Sequence, residues 1–315
     1  MIKYTQKKRG NQAVAVHIEP HLSYKTYNAF LDCGSWLEMK ADKELANMKL
    51  NRANFCNNRF CPMCSWRLSQ KDALRVSVVM DYIEAEHEKA FIMVTFTAPN
   101  VKGDKLPDEV TRYNKAFKNL CKRDVVIRMN QGYVRKLEIT YNEKRDDFHP
   151  HFHVIFAVNK SYFTSRYYIK QETWLNLWRE VMDDDSITQV FVQKIVKSEA
   201  GAVKTEVKRN KAVNEIAKYT AKDADYCHSQ EVFDHFYAAL KGRQVMTYNG
   251  LFTAANRMYK NDELEEYKEI DKTDYYWIVF YRWAGLDYTE KHCRQMTIEE
   301  QWKLPLRIEE LPDEW

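Results

Sequence analysis

Strand-like and helix-like segments alternate along this chain, and two strands are joined directly by a hairpin. This predicts an α+β fold: a central antiparallel sheet with helices packed on one face, preceded by a cysteine-bearing N-terminal element. Three observations carry it. Apolar runs rich in β-branched and aromatic residues recur, as in FIMVTFT (91–97). Helically spaced apolar stripes lie between them. One polar turn, EKRDDFHP (143–150), separates two consecutive strand patterns. At 315 residues, 45% hydrophobic, the chain is long enough for a substantial core.

In order, residues 1–67 are irregular and carry a cysteine cluster. Leu74, Val78, Val79, Tyr82 and Ile83 fall at helical spacing, and FIMVTFT follows as a buried strand bounded by Pro99 and Asn100. Pro107 starts a second helix whose stripe is Val110, Tyr113, Phe117, Leu120 and Cys121. YVRKLEITYN (133–142) and HFHVIFAV (151–158) form the hairpin. Trp174, Leu177, Trp178 and Val181 mark another helix, TQVFVQKI (188–195) a strand, and 211–222 a further helix. The expected organisation is a zinc-binding element over 1–70, a main domain over 71–230 and a C-terminal accessory region over 231–315.

No apolar run reaches the ~18–20 residues a membrane span needs. MIKYTQKKRGNQ is basic but lacks the apolar stretch of a signal peptide, so a cytoplasmic protein with no membrane partner is expected. Residues 231–315 hold 11 Lys/Arg against 17 Asp/Glu, a net of −6, so the first 230 residues carry +10. A basic body with an acidic tail fits a polyanion-binding part and a separate accessory part.

His149, His151 and His153 occupy every second position of HPHFHVIFAV. Alternate strand residues share a face. Phe152, Val154, Phe156 and Val158 read as the core side, which turns His151 and His153 to the other, about 7 Å apart between Cα atoms. Two imidazoles at that spacing can converge on one divalent ion. Glu138 alternates against Leu137 and Ile139 and should face the same way as a third ligand. His149 is the alternative, with Pro150 expected to interrupt the strand beside it.

In KAVNEIAKYTAKDADY (211–226), Val213, Ile216, Ala217 and Thr220 form one helical stripe, and Glu215, Tyr219 and Lys222 another. A phenol is a poor nucleophile near neutral pH unless a cation stabilises the charge that develops. A metal on the histidines can do that for a phosphoryl group, Lys222 can hold the phosphate, and Glu215 can take a proton.

Seven cysteines are present, and four of them, Cys33, Cys56, Cys61 and Cys64, can supply a closed tetrahedral thiolate shell for structural zinc. A redox CxxC is the rival for CPMC, but the extra cysteines argue against it. Arg59 and Arg67 beside the cluster are candidates for duplex contact. Lys204, Lys208, Arg209 and Lys211, ahead of the tyrosine, are candidates for backbone phosphates.

FCNNRFCPMCSWR, VTFTAPNV, HPHFHVIF and EIAKYTAK occur in that order. Together they resemble the motif set of HUH endonucleases, and more narrowly the replication initiator proteins of small rolling-circle plasmids with one nucleophilic tyrosine. The resemblance runs from Cys33 to Leu251. It implies an HUH-type sheet, a catalytic Mn or Mg ion on His151 and His153, and strand cleavage by Tyr219 through a 5′-phosphotyrosyl link. It also implies a water-activating role for Glu215 in termination. Single- and double-stranded origin DNA are the implied partners, with a host helicase and polymerase beyond them. Tyr226 departs from the spacing of two-tyrosine relatives and takes no such role. The rival readings are an HUH transposase or relaxase, and a non-catalytic zinc-stabilised DNA-binding protein.

Overall fold

The computed structural model describes residues 1–197 and 205–310. In chain order the first elements are α1 (Ile2–Ile18), α2 (Tyr24–Asp32), β1 (Trp36–Ala41), β2 (Met48–Ala53), α3 (Pro62–His87) and β3 (Lys89–Thr97). Next come α4 (Leu106–Leu120), α5 (Asp124–Met129), β4 (Gly132–Asn142), β5 (Asp147–Asn159), α6 (Gln171–Met182) and β6 (Val190–Val196). Then follow β7 (Glu206–Lys208), α7 (Arg209–Ala217), α8 (Asp223–Tyr226), α9 (Gln230–Leu240), β8 (Met246–Gly250) and α10 (Leu251–Lys260). The last are β9 (Trp277–Trp283), β10 (Tyr288–Gln295) and α11 (Ile298–Trp302). Among the described residues no helix is long and apolar enough to cross a membrane.

Two compact units result: Met1–Lys71 with the described part of Lys268–Leu311, and Asp72–Tyr267. The region read as one C-terminal part, 231–315, is therefore divided. Its first stretch supplies α9, β8 and α10 to the second unit. Its later stretch belongs to the first unit because β9 pairs along the whole of β1, from Trp36↔Arg282 to Ala41↔Trp277. Strand hydrogen bonds over that length outweigh nearness in sequence.

In the first unit the sheet order is β10-β9-β1-β2, all antiparallel. Leu37, Met39 and Ala41 alternate into its core. Tyr275, Ile278 and Met296 form a further buried cluster, with Leu304 packed against it. Helix α11 is started by a reciprocal capping box between Thr297 and Glu300.

In the second unit the order is β7-β6-β3-β5-β4-β8, antiparallel except for the β6–β7 pair. The α+β class expected from the sequence is what the chain forms. One face is apolar: Phe96, Phe152 and Phe156 are fully buried against Tyr113 and Phe117 of α4 and Trp174 and Trp178 of α6. These rings meet mostly edge to face, the arrangement their quadrupoles favour. Trp178 also donates its indole N–H to the Thr97 carbonyl at 2.8 Å. Truncation to alanine at Trp178 is expected to cost about 3–5 kcal/mol, measured by denaturant unfolding. The other face also carries helices, α7 and α10, with Phe252 of α10 against Phe91.

The hairpin is tighter than the sequence suggests. Strand β5 begins at Asp147, so Phe148 to Pro150 belong to the strand and not to the turn. Pro150 does not interrupt it. Opposite Pro150, Ile139 donates its N–H away from β5, to the Thr220 carbonyl at 2.7 Å. The pair is thus a non-hydrogen-bonded one, and on its other side the β3 ladder has already ended at Thr97↔His151. No donor is required at Pro150.

The segment ALKGRQVMTYNGLF (239–252) closes the sheet edge. It forms β8 beside β4, and Gly250 at φ +55 turns the chain into α10. A Cβ there would lie 2.6 Å from the Gln131 carbonyl oxygen, so the close crossing of the two backbones needs glycine.

Candidate active site

Strand register builds the site. Across three strands, Thr97, His151 and Glu138 lie in one row, and Thr95, His153 and Lys136 in the next. Glu138 is therefore the direct cross-strand partner of His151 on the non-apolar face. Its Oε2 lies 3.0 Å from His151 Nε2 and 2.9 Å from His153 Nε2. Glu138, His151 and His153 bring one ligand atom each to a common point. His149 lies one pair further along, its ring centroid 5.3 Å from that of His151, and it is not one of the three.

The second ring nitrogens are held as well. His151 Nδ1 lies 3.3 Å from the His149 carbonyl, and His153 Nδ1 lies 3.2 Å from Thr95 Oγ1. With a proton on each Nδ1 these partners are satisfied and both Nε2 lone pairs face the common point, the arrangement an ion requires; protonated at Nε2 instead, both rings donate to Glu138. Metal–ligand bonds of about 2.1 Å at right angles put ligand atoms about 3.0 Å apart, so the donor set fits an octahedral divalent ion. Burial works to raise the Glu138 carboxyl. The hydrogen bonds from His151 and His153 and the charges of His151 and Lys218 outweigh it and hold Glu138 well below the usual range. Burial, with the His151 and Lys218 charges, pulls His153 below its ordinary value against the opposing pull of Glu138.

Helix α7 meets this face. The sequence suggested a helix over 211–222, but α7 ends at Ala217 and Lys218 leaves the helical region at ψ 169. The Thr220 carbonyl is needed on the free edge of β4, where it accepts from Ile139, and a continued helix could not deliver it. Tyr219 is therefore half-buried in the bend beyond α7, and Glu215, Tyr219 and Lys222 do not form one helical stripe. Glu215 Oε2 lies 3.6 Å from His153 Nε2. Lys222 is exposed at the start of α8.

Lys218, which the sequence did not single out, reaches Glu138 Oε2 at 2.9 Å and Glu215 Oε2 at 2.5 Å. Burial would lower its pKa, but the bond to Glu215 and the charge of Glu138 raise it.

The basic candidates separate. Arg209 is buried at the start of α7, pairing with Glu84 at 2.6 Å and Asp81 at 3.3 Å on α3, its guanidinium 5.5 Å from the Phe91 ring. It is committed to fixing α7 and is not presented to a phosphate. Arg209→Ala is expected to destabilise by about 1–3 kcal/mol, below the full cost of a buried pair because both acids are about a third exposed. Thermal unfolding at low and high salt measures this. Lys208 and Lys211 are exposed. Lys204 lies outside the described residues.

In the other unit, Cys33, Cys56, Cys61 and Cys64 gather their sulfurs within 4.8 Å of one another. Cys33 Sγ lies 3.5 Å from both Cys64 and Cys61, and Cys56 lies 3.7 Å from Cys64. A tetrahedral Zn–S distance of about 2.3 Å implies sulfur separations of about 3.8 Å, so the residues fit that ion. The Cys56 and Asn57 N–H groups and the Asn11 amide donate to these sulfurs. Buried Lys8 donates to the Cys33 and Leu31 carbonyls at 2.7 Å, placing a positive charge beside the thiolates. Arg59 is exposed, while Arg67 stacks on Phe55 at 4.3 Å and faces Glu310 at 3.8 Å.

The chain is similar to proteins of one family. A family model described as "Replication protein" matches residues 47–289. A "Protein rep" from Staphylococcus aureus is 50% identical over 227 residues, spanning 72% of this chain and 95% of that protein. Similar proteins of the same description from Bacillus amyloliquefaciens and a Bacillus species are 33% and 31% identical, each over 77–78% of this chain and 78% and 83% of their own length. No solved structure matches the chain.

Proposed function

The chain belongs to the replication protein family, and on that premise we propose that it initiates rolling-circle replication of a plasmid by nicking one origin strand. Tyr219 would be the nucleophile. Its oxygen forms the bond to phosphorus as the P–O3′ bond breaks, the leaving oxygen becomes a 3′-hydroxyl that primes synthesis, and the 5′ end stays on the tyrosine. The exchange of one phosphodiester for another needs no ATP.

The observation that carries the reading is the convergence of Glu138, His151 and His153 beside Glu215 and Lys218, with the Tyr219 segment tied to the same edge through Thr220. Glu138, His151 and His153 would hold Mn or Mg. The bound ion supplies charge stabilisation at the phosphoryl oxygens. Glu215 is near enough to take a proton from tyrosine or, in termination, from water. Lys218 adds a positive charge at the same spot, the role the sequence had suggested for Lys222. Thr95 orients His153, and Thr95→Val should weaken Mn²⁺ affinity about 10-fold in an electron paramagnetic resonance titration. In the other unit, zinc on the four cysteines would hold a fold that contributes duplex binding, with Arg59 at its surface.

The test is a labelled single-stranded origin oligonucleotide incubated with the protein and Mn²⁺ or Mg²⁺. Label should migrate with the protein after denaturation, dependent on the ion. Free nicked product with no protein-bound label would remove the proposed chemistry.

A further inference from the structure

Three nitrogens crowd onto one oxygen at the candidate site. Glu138 Oε2 has His151 Nε2 at 3.0 Å, His153 Nε2 at 2.9 Å and Lys218 Nζ at 2.9 Å. The two imidazoles belong to the ligand set and the ammonium does not. The same ammonium holds Glu215 Oε2 at 2.5 Å, and that oxygen lies 3.6 Å from His153 Nε2. Lys218 therefore ties together the two carboxylates that the nicking reading uses, one for the ion and one for the proton.

An ammonium and a divalent ion on one carboxylate oxygen repel each other and compete for its lone pairs. Solvent screens little of that repulsion at a buried group. The Glu138 side chain is 6% exposed and those of His153 and His151 are 9% and 12%, whereas that of Lys218 is 35% exposed. Of the three groups on Glu138 Oε2, Lys218 is thus the one that an anion arriving from solvent can draw away. Its backbone need not follow. The Lys218 N–H donates to the Asn214 carbonyl at 2.9 Å, and two residues on the Thr220 carbonyl accepts from Ile139 at 2.7 Å. Anchors on both sides confine the change to the flexible aliphatic stem of the lysine. Glu215 gains by the same departure, because an oxygen engaged by an ammonium is a poorer proton acceptor than one left free.

We propose that Lys218 makes DNA binding and ion binding cooperative: a DNA phosphate takes the ammonium from Glu138 and Glu215, which opens one carboxylate to the divalent ion and the other to the proton. The inference rests on the nicking reading and deepens it, by adding how the site is assembled on its substrate. Such coupling is reciprocal, so the ion tightens DNA binding by the same factor as DNA tightens the ion.

The experiment uses the full-length chain with Tyr219→Phe as the parent, so that bound DNA is not consumed. Mn²⁺ is titrated by electron paramagnetic resonance with and without a single-stranded origin oligonucleotide. Without DNA, Lys218→Met and Lys218→Gln should bind Mn²⁺ about 10-fold more tightly than the parent, and Lys218→Arg, which keeps the charge, within about threefold of it. With DNA, the parent should gain about 10-fold in Mn²⁺ affinity and the two neutral variants less than about threefold. The direction separates this role from a structural one, because removing a side chain that merely braced Glu138 would weaken the ion. Circular dichroism checks that each variant is folded. Neutral variants that bind Mn²⁺ no more tightly than the parent overturn the proposal, and so does an equal DNA-driven gain in parent and neutral variants. Absence of a covalent product with the wild type and Mn²⁺ overturns the nicking reading, an outcome distinct from either because the titration needs no cleavage.

Discussion

Tyr219→Phe is expected to abolish the covalent protein–DNA product, by at least about 1000-fold, and to leave DNA binding within about twofold of the wild type. The substitution removes one oxygen and nothing of the ring. Tyr219 lies beyond the end of α7, whose buried stripe is Val213, Ile216 and Ala217. Tyr226, seven residues on, cannot stand in. It is buried among Phe233 and Phe236, with ring centroids about 6 Å away, and it would have to leave that cluster to meet a phosphate. A gel-based adduct assay and a binding titration on the same variant separate the two effects. Loss of binding in parallel with chemistry would mean the residue holds DNA and does not react with it.

The second large effect belongs to the cysteines. Cys61→Ser is expected to release zinc and unfold Met1–Lys71 together with its paired β9 and β10. Cys61 is fully buried, and a site of this type contributes on the order of 10 kcal/mol, comparable to the whole stability of a domain. Metal analysis should give about one zinc per wild-type chain and none in the variant. Near-ultraviolet circular dichroism should change in the variant and, equally, in the wild type stripped by a strong chelator. Lys8 sharpens the expectation: an ammonium buried beside four thiols is well placed when they are thiolates sharing a cation, and costly when they are neutral. A chelator that leaves the spectrum untouched would mean that packing alone holds this unit.

Much of the site could be read from alternation alone. The facing of His151, His153 and Glu138 follows from period-two patterning against Phe152, Val154, Leu137 and Ile139, and register then has to align them. Period and composition likewise delimited β3, α4 and α6, because each has a single well-marked apolar stripe. What escaped depended on contacts distant in sequence. The end of α7 is decided by a β4 N–H that needs the Thr220 carbonyl, and nothing within 211–222 announces it. Lys218 follows from that ending. Arg209 looked like a phosphate ligand in a basic run, and only α3, more than a hundred residues earlier, supplies the acids that take it. The division of the C-terminal region depends on β9 finding β1 across most of the chain, a pairing to which local pattern is blind. Thr95 as the brace of His153 needed the β3–β5 register, which neither strand specifies by itself.

The most direct measurement is mass spectrometry of the adduct formed with Mn²⁺, after nuclease trimming and proteolysis. The account predicts a nucleotide 5′-phosphate on Tyr219 of the peptide that follows Lys218, and no such adduct once Glu138 is replaced by alanine. A phosphate mapped to any other side chain, or an adduct at Tyr219 that forms equally well without Glu138, would contradict it.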